Sequence, residues 1–216
     1  MPATGGTMKH DVTRALFTYW NALRGERSAP ERGAIDPTAI RAELPFAFIL
    51  EIDEADSFPI RLAGTRVSAL FGRDLQGAAY AGLFAGPGGE RDLRGAALPR
   101  LVCDDMTPVV AGLEAVTRAG RTLALELLLL PLRHGGRTHA RVLGCLTPEA
   151  APVWYGLDPV VGLALRSVRF AHPPAETAPR EIVAAGPPER PSAERRRHLF
   201  VYEGGRAGAS RPPAMA

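Results

Sequence analysis

The chain has 216 residues, 26 Lys and Arg against 23 Asp and Glu, and 46% hydrophobic residues. That is enough apolar material to bury the core of one domain, too little length for several large ones, and outside the composition of disordered or collagen-like chains. The net charge of +3 does not mark a nucleic-acid binder, because the arginines are spread along the chain and the one cluster, Arg195-Arg196-Arg197, has no interleaved aromatics in its Pro-rich surroundings. The longest apolar run, Leu123 to Leu132, carries Glu126 and Pro131 and falls short of the ~18 residues of a membrane span. No apolar signal core follows Met1, so a cytoplasmic protein without a membrane partner is expected. Cys103 and Cys145 stand alone in different segments and read as buried or free thiols.

Val12, Leu16, Phe17, Trp20 and Leu23 recur at steps of three and four, which predicts an amphipathic helix over 11–24, with Asp11 available as a cap and Gly25 as a stop. Asp36-Pro37 opens a short helix to about Leu44. Phe46 to Ile52 and Phe58 to Ala63 read as two strands of a hairpin. The first of them is apolar at nearly every position, so both of its faces must be covered. The 11–24 helix is the candidate cover, within the chain or across a dimer. Gly64 ends the second strand, Thr65 caps a short helix to Leu70 or Phe71, and bends lead to Tyr80–Phe84. Gly86-Pro87-Gly88-Gly89 breaks the chain before a longer helix over 90–103.

After Thr107 the period changes to that of strands: 109–118, 121–133 and 138–146, joined at Gly120 and Gly135-Gly136. Two strands, several helices and three strands make an α+β domain with a five-stranded antiparallel sheet. Tyr155 to Phe170 reads as a further helix or a docking segment. Residues 173–216, with eight prolines, five acids and seven arginines, read as a disordered tail in which Leu199-Phe200-Val201-Tyr202 alone could dock. The expected organisation is a disordered stretch 1–10, a helical cap 11–45, a core 46–148, a segment 149–172 and the tail.

Arg61-Leu62-Ala63-Gly64-Thr65-Arg66 at the end of the second strand, and Phe71-Gly72-Arg73-Asp74-Leu75-Gln76-Gly77 after it, resemble PAS domains over about Leu16 to Pro148. Together with Ile35-Asp36-Pro37 they are similar, more narrowly, to short stand-alone bacterial PAS-like proteins. The resemblance implies a five-stranded sheet with short helices and one longer helix on one face, enclosing a pocket, together with signalling by partner contact and dimers through an N-terminal helix. Flavin-linked light sensors of this family carry a reactive cysteine in an Asn-Cys-Arg segment, whereas no Asn or Cys lies between Thr65 and Leu101. Oxygen-sensing haem members need an axial histidine, and 35–133 holds none. Neither cofactor is expected.

Five residues are candidates for ligand contact. Arg61 and Arg66 would read a carboxylate or phosphate at a pocket mouth, or instead pair with Asp74 or Glu126 to tie helices to the sheet. Glu126 shares a strand face with Ala124 and Leu128, as a polar anchor in the pocket or on a solvated edge. Phe71 and Tyr80 line the cavity or belong to the plain core. Cys103 shows no activating neighbour. His134 and His139 lack a third ligand, and no hydrolase, zinc or phosphate-loop motif occurs, so no enzyme or metal site is expected. The readings left open are a sensory or regulatory protein binding a small metabolite or a signalling partner, an interaction module with a filled core, and a small-molecule enzyme on the same scaffold. A cavity at Arg66 or Glu126 free of large side chains favours a ligand, and solid packing favours the filled core.

Overall fold

The 3.6-residue period of residues 11–24 produces the helix it implies. In the computed structural model, which describes residues 8–53, 57–86 and 88–171, α1 runs Asp11–Arg24 and ends at Gly25, whose φ of 56° suits a residue without Cβ. His10 occupies the N-cap position, and Asp11 is already helical, paired with Arg14 one turn on. The helix expected after Asp36 is instead a series of turns closing in a 3-10 turn, Leu44–Phe46. Asp36 Oδ1 accepts the Thr38 amide at 2.8 Å, a local side-chain bond that competes with helix. The expectations for residues 1–7 and for the tail beyond 171 lie outside the described residues.

The remaining elements are β1 (Ala47–Glu51), β2 (Ile60–Ala63), α2 (Thr65–Phe71), a 3-10 turn Tyr80–Phe84, α3 (Leu93–Ala96), α4 (Leu98–Asp105), β3 (Val109–Thr117), β4 (Thr122–His134), β5 (Arg137–Pro148) and β6 (Val160–Phe170). Two expectations change. The helix over 90–103 is broken at Ala97 into α3 and α4, because Pro99 has no N–H to continue the ladder and instead opens α4. The segment expected as a helix or docking piece is a strand, β6. Its Val160, Val161 and Val168 favour extended backbone, and Gly162 would cost a helix about 1 kcal/mol. Pairing with β3 from Thr117↔Val160 to Val109↔Phe170 also covers an edge that would otherwise be bare.

The sheet therefore has six antiparallel strands, in the order β2-β1-β5-β4-β3-β6. Both edges are partly closed. Ile60 on β2 exchanges backbone bonds with Gly77 and Ala78, and the Leu165 amide of β6 donates to the Asp92 carboxylate at 2.7 Å.

Alternation sends Leu123, Leu125, Leu127 and Leu129 of β4 to the inner face, where they pack with α2, α4 and the Tyr80–Phe84 turn. Leu128, Leu130 and Leu132 go to the outer face, against Leu16, Phe17 and Trp20 of α1. The cover for the two-faced sheet is thus the N-terminal helix of the same chain. Pro131 sits in β4 beyond the start of β3, so its missing N–H breaks no pairing there, and its carbonyl accepts the buried Trp20 indole N–H at 2.9 Å. Among the described residues no helix is long and apolar enough to cross a membrane.

Trp20 combines near-complete burial with that hydrogen bond. Trp20→Ala should destabilise the fold by about 3–5 kcal/mol, read as a lower urea midpoint. A loss under 1 kcal/mol would show that α1 does not hold the outer face.

Candidate functional site

On the inner face, Phe48 of β1 lies across Gly144 of β5. A Cβ at Gly144 would come 2.1 Å from the Phe48 ring, so only glycine lets the ring rest on the sheet. Tyr80 stacks on Phe48 at 6.3 Å between centroids and tilts against Phe84 at 5.2 Å. Leu98, Val102, Leu113, Leu127 and Leu129 belong to the same buried cluster. The hydroxyl of Tyr80 is buried and has no hydrogen-bond partner among the described residues. Burial pushes its pKa well above the ordinary 10.0.

On the outer face, Glu126 is buried at the start of α1. Its carboxylate accepts the Lys9 amide at 2.9 Å and the His10 amide at 3.2 Å, and Arg169 Nη2 stands 3.6 Å away. A carboxylate projecting from the sheet thereby satisfies amides that precede a helix whose own N-cap side chain supplies no bond. Beside it, Thr147 Oγ1 lies 3.2 Å from Thr13 Oγ1 of α1, and the Thr147 hydroxyl donates to the Glu126 carbonyl at 3.3 Å. Residues 9 and 10, expected as part of a disordered stretch, are thus pinned to the sheet.

The five candidate residues do not converge. Phe71 and Tyr80 share the inner cluster as packing groups. Glu126 takes neither position read for it, since it is buried on the opposite face under α1. Arg61 is exposed and approaches Glu51 at 3.8 Å, not Asp74 or Glu126. Arg66 is also exposed, its guanidinium 5.9 Å from the Tyr155 ring centre, and its carbonyl accepts the Tyr155 hydroxyl at 2.8 Å. Asp74 serves its own turn, accepting the Gln76 amide.

The sequence reading passed over Asp92. Burial works against its charge, but the amides of Leu165, Gly95 and Arg94 and the Arg94 charge prevail and hold its pKa below the ordinary 3.8. An Asp before an apolar helical run is an N-cap signal, so this role was legible. Its bond to β6 was not. Thr13 and Thr147 carry no comparable signal, because a threonine on a helix or a strand reads as surface.

Among the described residues no three His, Cys, Asp or Glu are gathered as a metal site requires. Cys103 and Cys145 are buried and not joined in a disulfide. Burial, then the charges of Glu126 and Glu43, push the Cys145 thiol far up, the reverse of an activated thiolate.

Two expectations follow from these groups. Glu126→Ala removes a charged acceptor from two amides and should lower stability by about 1.5–3 kcal/mol, with faster hydrogen exchange at the Thr13 to Leu16 amides. Unchanged exchange there would dissociate Glu126 from α1. Tyr80 keeps its proton in the folded state above the pH where the unfolded chain releases it. Its contribution is complete below pH 10.0 and shrinks as pH rises further. Tyr80→Phe should flatten the stability loss measured above that pH and, by deleting an orphan hydroxyl, stabilise the protein by about 1 kcal/mol at neutral pH.

A family model described as PAS domain matches residues 8–147. A comparison with curated proteins returns no match. Among solved structures, one described as a flavin-analogue study of a light-oxygen-voltage domain is 20% identical, with 51% of this chain and 82% of that chain covered and a TM-score of 0.41. The light-state structure of the blue-light photoreceptor Aureochrome1 LOV is 17% identical, with 56% and 91% covered and a TM-score of 0.40. The light-state dimer of the fungal blue-light photoreceptor Vivid is 17% identical, with 68% and 97% covered and a TM-score of 0.41. With the antiparallel sheet, its short helices and a family match over residues 8–147, the chain belongs to the PAS domain family.

Proposed function

We propose that this PAS protein is a non-enzymatic regulatory module that passes on its state through contact with a signalling partner, with its inner core filled by its own side chains. The observation that carries the reading is the Phe48, Tyr80 and Phe84 ring cluster, seated on Gly144 in the space between sheet and helices. Filled space there supports a core without flavin, as does the lack of Asn and Cys between Thr65 and Leu101. The buried thiols support the absence of catalysis. The three sequence motifs support kinship with short bacterial PAS-like proteins.

A second copy of the chain is a candidate partner. The apolar side of α1 is taken up by its own sheet, so a homodimer through this helix would use the exposed Arg14, Ala15 and Thr18 side. The other reading, a small metabolite inside the core, is favoured by one observation, the unpartnered Tyr80 hydroxyl.

Native mass spectrometry of the purified protein, before and after denaturation, separates these readings. The expected species has the mass of the chain or a simple multiple, releases nothing on denaturation, and shows no visible absorbance. Stoichiometric release of a compound, or a flavin spectrum, would overturn the filled core.

A further inference from the structure

The outer face is not covered evenly. α1 packs over β4 and β5, but towards the β1 and β2 edge a groove of about 640 Å³ opens between the sheet, the 3-10 turn Arg32–Ala34 and the β4–β5 turn at Gly135. Its floor is aliphatic: Ile49 from β1 and Leu62 from β2, the latter 51% exposed. Its walls carry three guanidiniums, those of Arg32, Arg61 and Arg141.

The charges around this floor do not balance. Glu51 alone serves two arginines, with Arg141 Nη2 at 3.0 Å and Arg61 Nε at 3.8 Å. Arg141 Nε is buried with no hydrogen-bond partner among the described residues. Glu31, the carboxylate that lines the groove itself, accepts the Gly136 amide at 3.1 Å and faces Arg133 Nε at 3.7 Å. Arg32 is half-buried and its side chain has no partner among the described residues. Surplus guanidinium forks beside exposed aliphatic carbon suit a ligand with an anionic head and an apolar body.

The volume fits a small molecule, which typically occupies about 300–1,000 Å³. A peptide adding a strand is disfavoured, since the β2 edge at Ile60 is already bonded to residues 77 and 78.

We propose that this groove binds a small organic carboxylate, its head between Arg32 and the Arg61–Arg141 pair and its aliphatic chain on Ile49 and Leu62. The site lies on the face opposite the ring cluster, so it stands whether or not the inner core is filled.

The test is an amide NMR titration of the full chain with sodium octanoate, inorganic phosphate and octan-1-ol. The octanoate arm is repeated on the double variant Arg32→Gln, Arg61→Gln and on Leu62→Ser. These side chains are half-buried or exposed, and an unchanged melting temperature certifies that each variant folds. Saturable octanoate shifts centred on residues 32, 49, 62 and 141, weakened about tenfold or more by each variant, are expected. Phosphate and octanol should each bind more weakly than octanoate. No saturation, shifts centred elsewhere, variants that bind like the parent, or phosphate binding as tight as octanoate would each overturn the proposal.

Discussion

Leucines on both faces of β4 set the central constraint of this molecule. A strand that presents Leu125, Leu127 and Leu129 on one side and Leu128, Leu130 and Leu132 on the other cannot leave either side to water. The helices between β2 and β3 cover one side. The other needs a separate element, and α1 supplies it from the same chain, so the three-layer arrangement follows from the composition of one strand. The polar contacts on the outer face fix where that layer sits. Trp20 finds the carbonyl that Pro131 leaves available, Thr13 meets Thr147, and Glu126 takes the amides at the helix start. Apolar burial is non-directional, whereas these bonds select one register of helix on sheet.

The same constraint redistributes the charged candidates. Arg61 and Arg66 lie at the surface, and the inner space between sheet and helices is filled by Phe48, Tyr80 and Phe84. A guanidinium there would lose its hydration with no carboxylate to pair with. Glu126 is the one acid tolerated among the leucines, and it is tolerated because it meets backbone donors and Arg169 on the face that α1 seals. A buried charge here organises a helix start, and the feature that singled it out in sequence, an acid within an apolar strand, was a sound flag with an undetermined meaning.

Much of the architecture was legible in sequence order. The period change at Thr107, the Gly-bearing turns and the all-apolar 46–52 segment placed β1 to β5 and α1 within a few residues, because periodicity and turn chemistry are local properties. The motifs at 61–66 and 71–77 pointed to the family. Three helix expectations failed on local chemistry: the Asp36 side-chain bond that replaces a helix by turns, Pro99 inside an apolar period, which divides a helix, and Val160 and Val161 before Gly162, which favour a strand. Their outcomes were nonetheless decided by partners, since β6 is a strand because β3 offered it an open edge.

The sequence by itself determined the α+β class, the succession of β1 to β5 and the need for an outer cover, all of which rest on periods of two and 3.6 residues and on turn residues. Only the tertiary structure decided which face Glu126 occupies, that the Tyr80 hydroxyl is enclosed without a hydrogen-bond partner among the described residues, that Asp92 joins α3 to β6, and that Arg32, Arg61 and Arg141 meet across Ile49 and Leu62. Those residues are up to 109 positions apart in the chain, Arg32 to Arg141, and their meeting depends on strand order and crossing geometry. No local pattern encodes these, because the same alternating strand can pair on either side and be covered by any apolar helix.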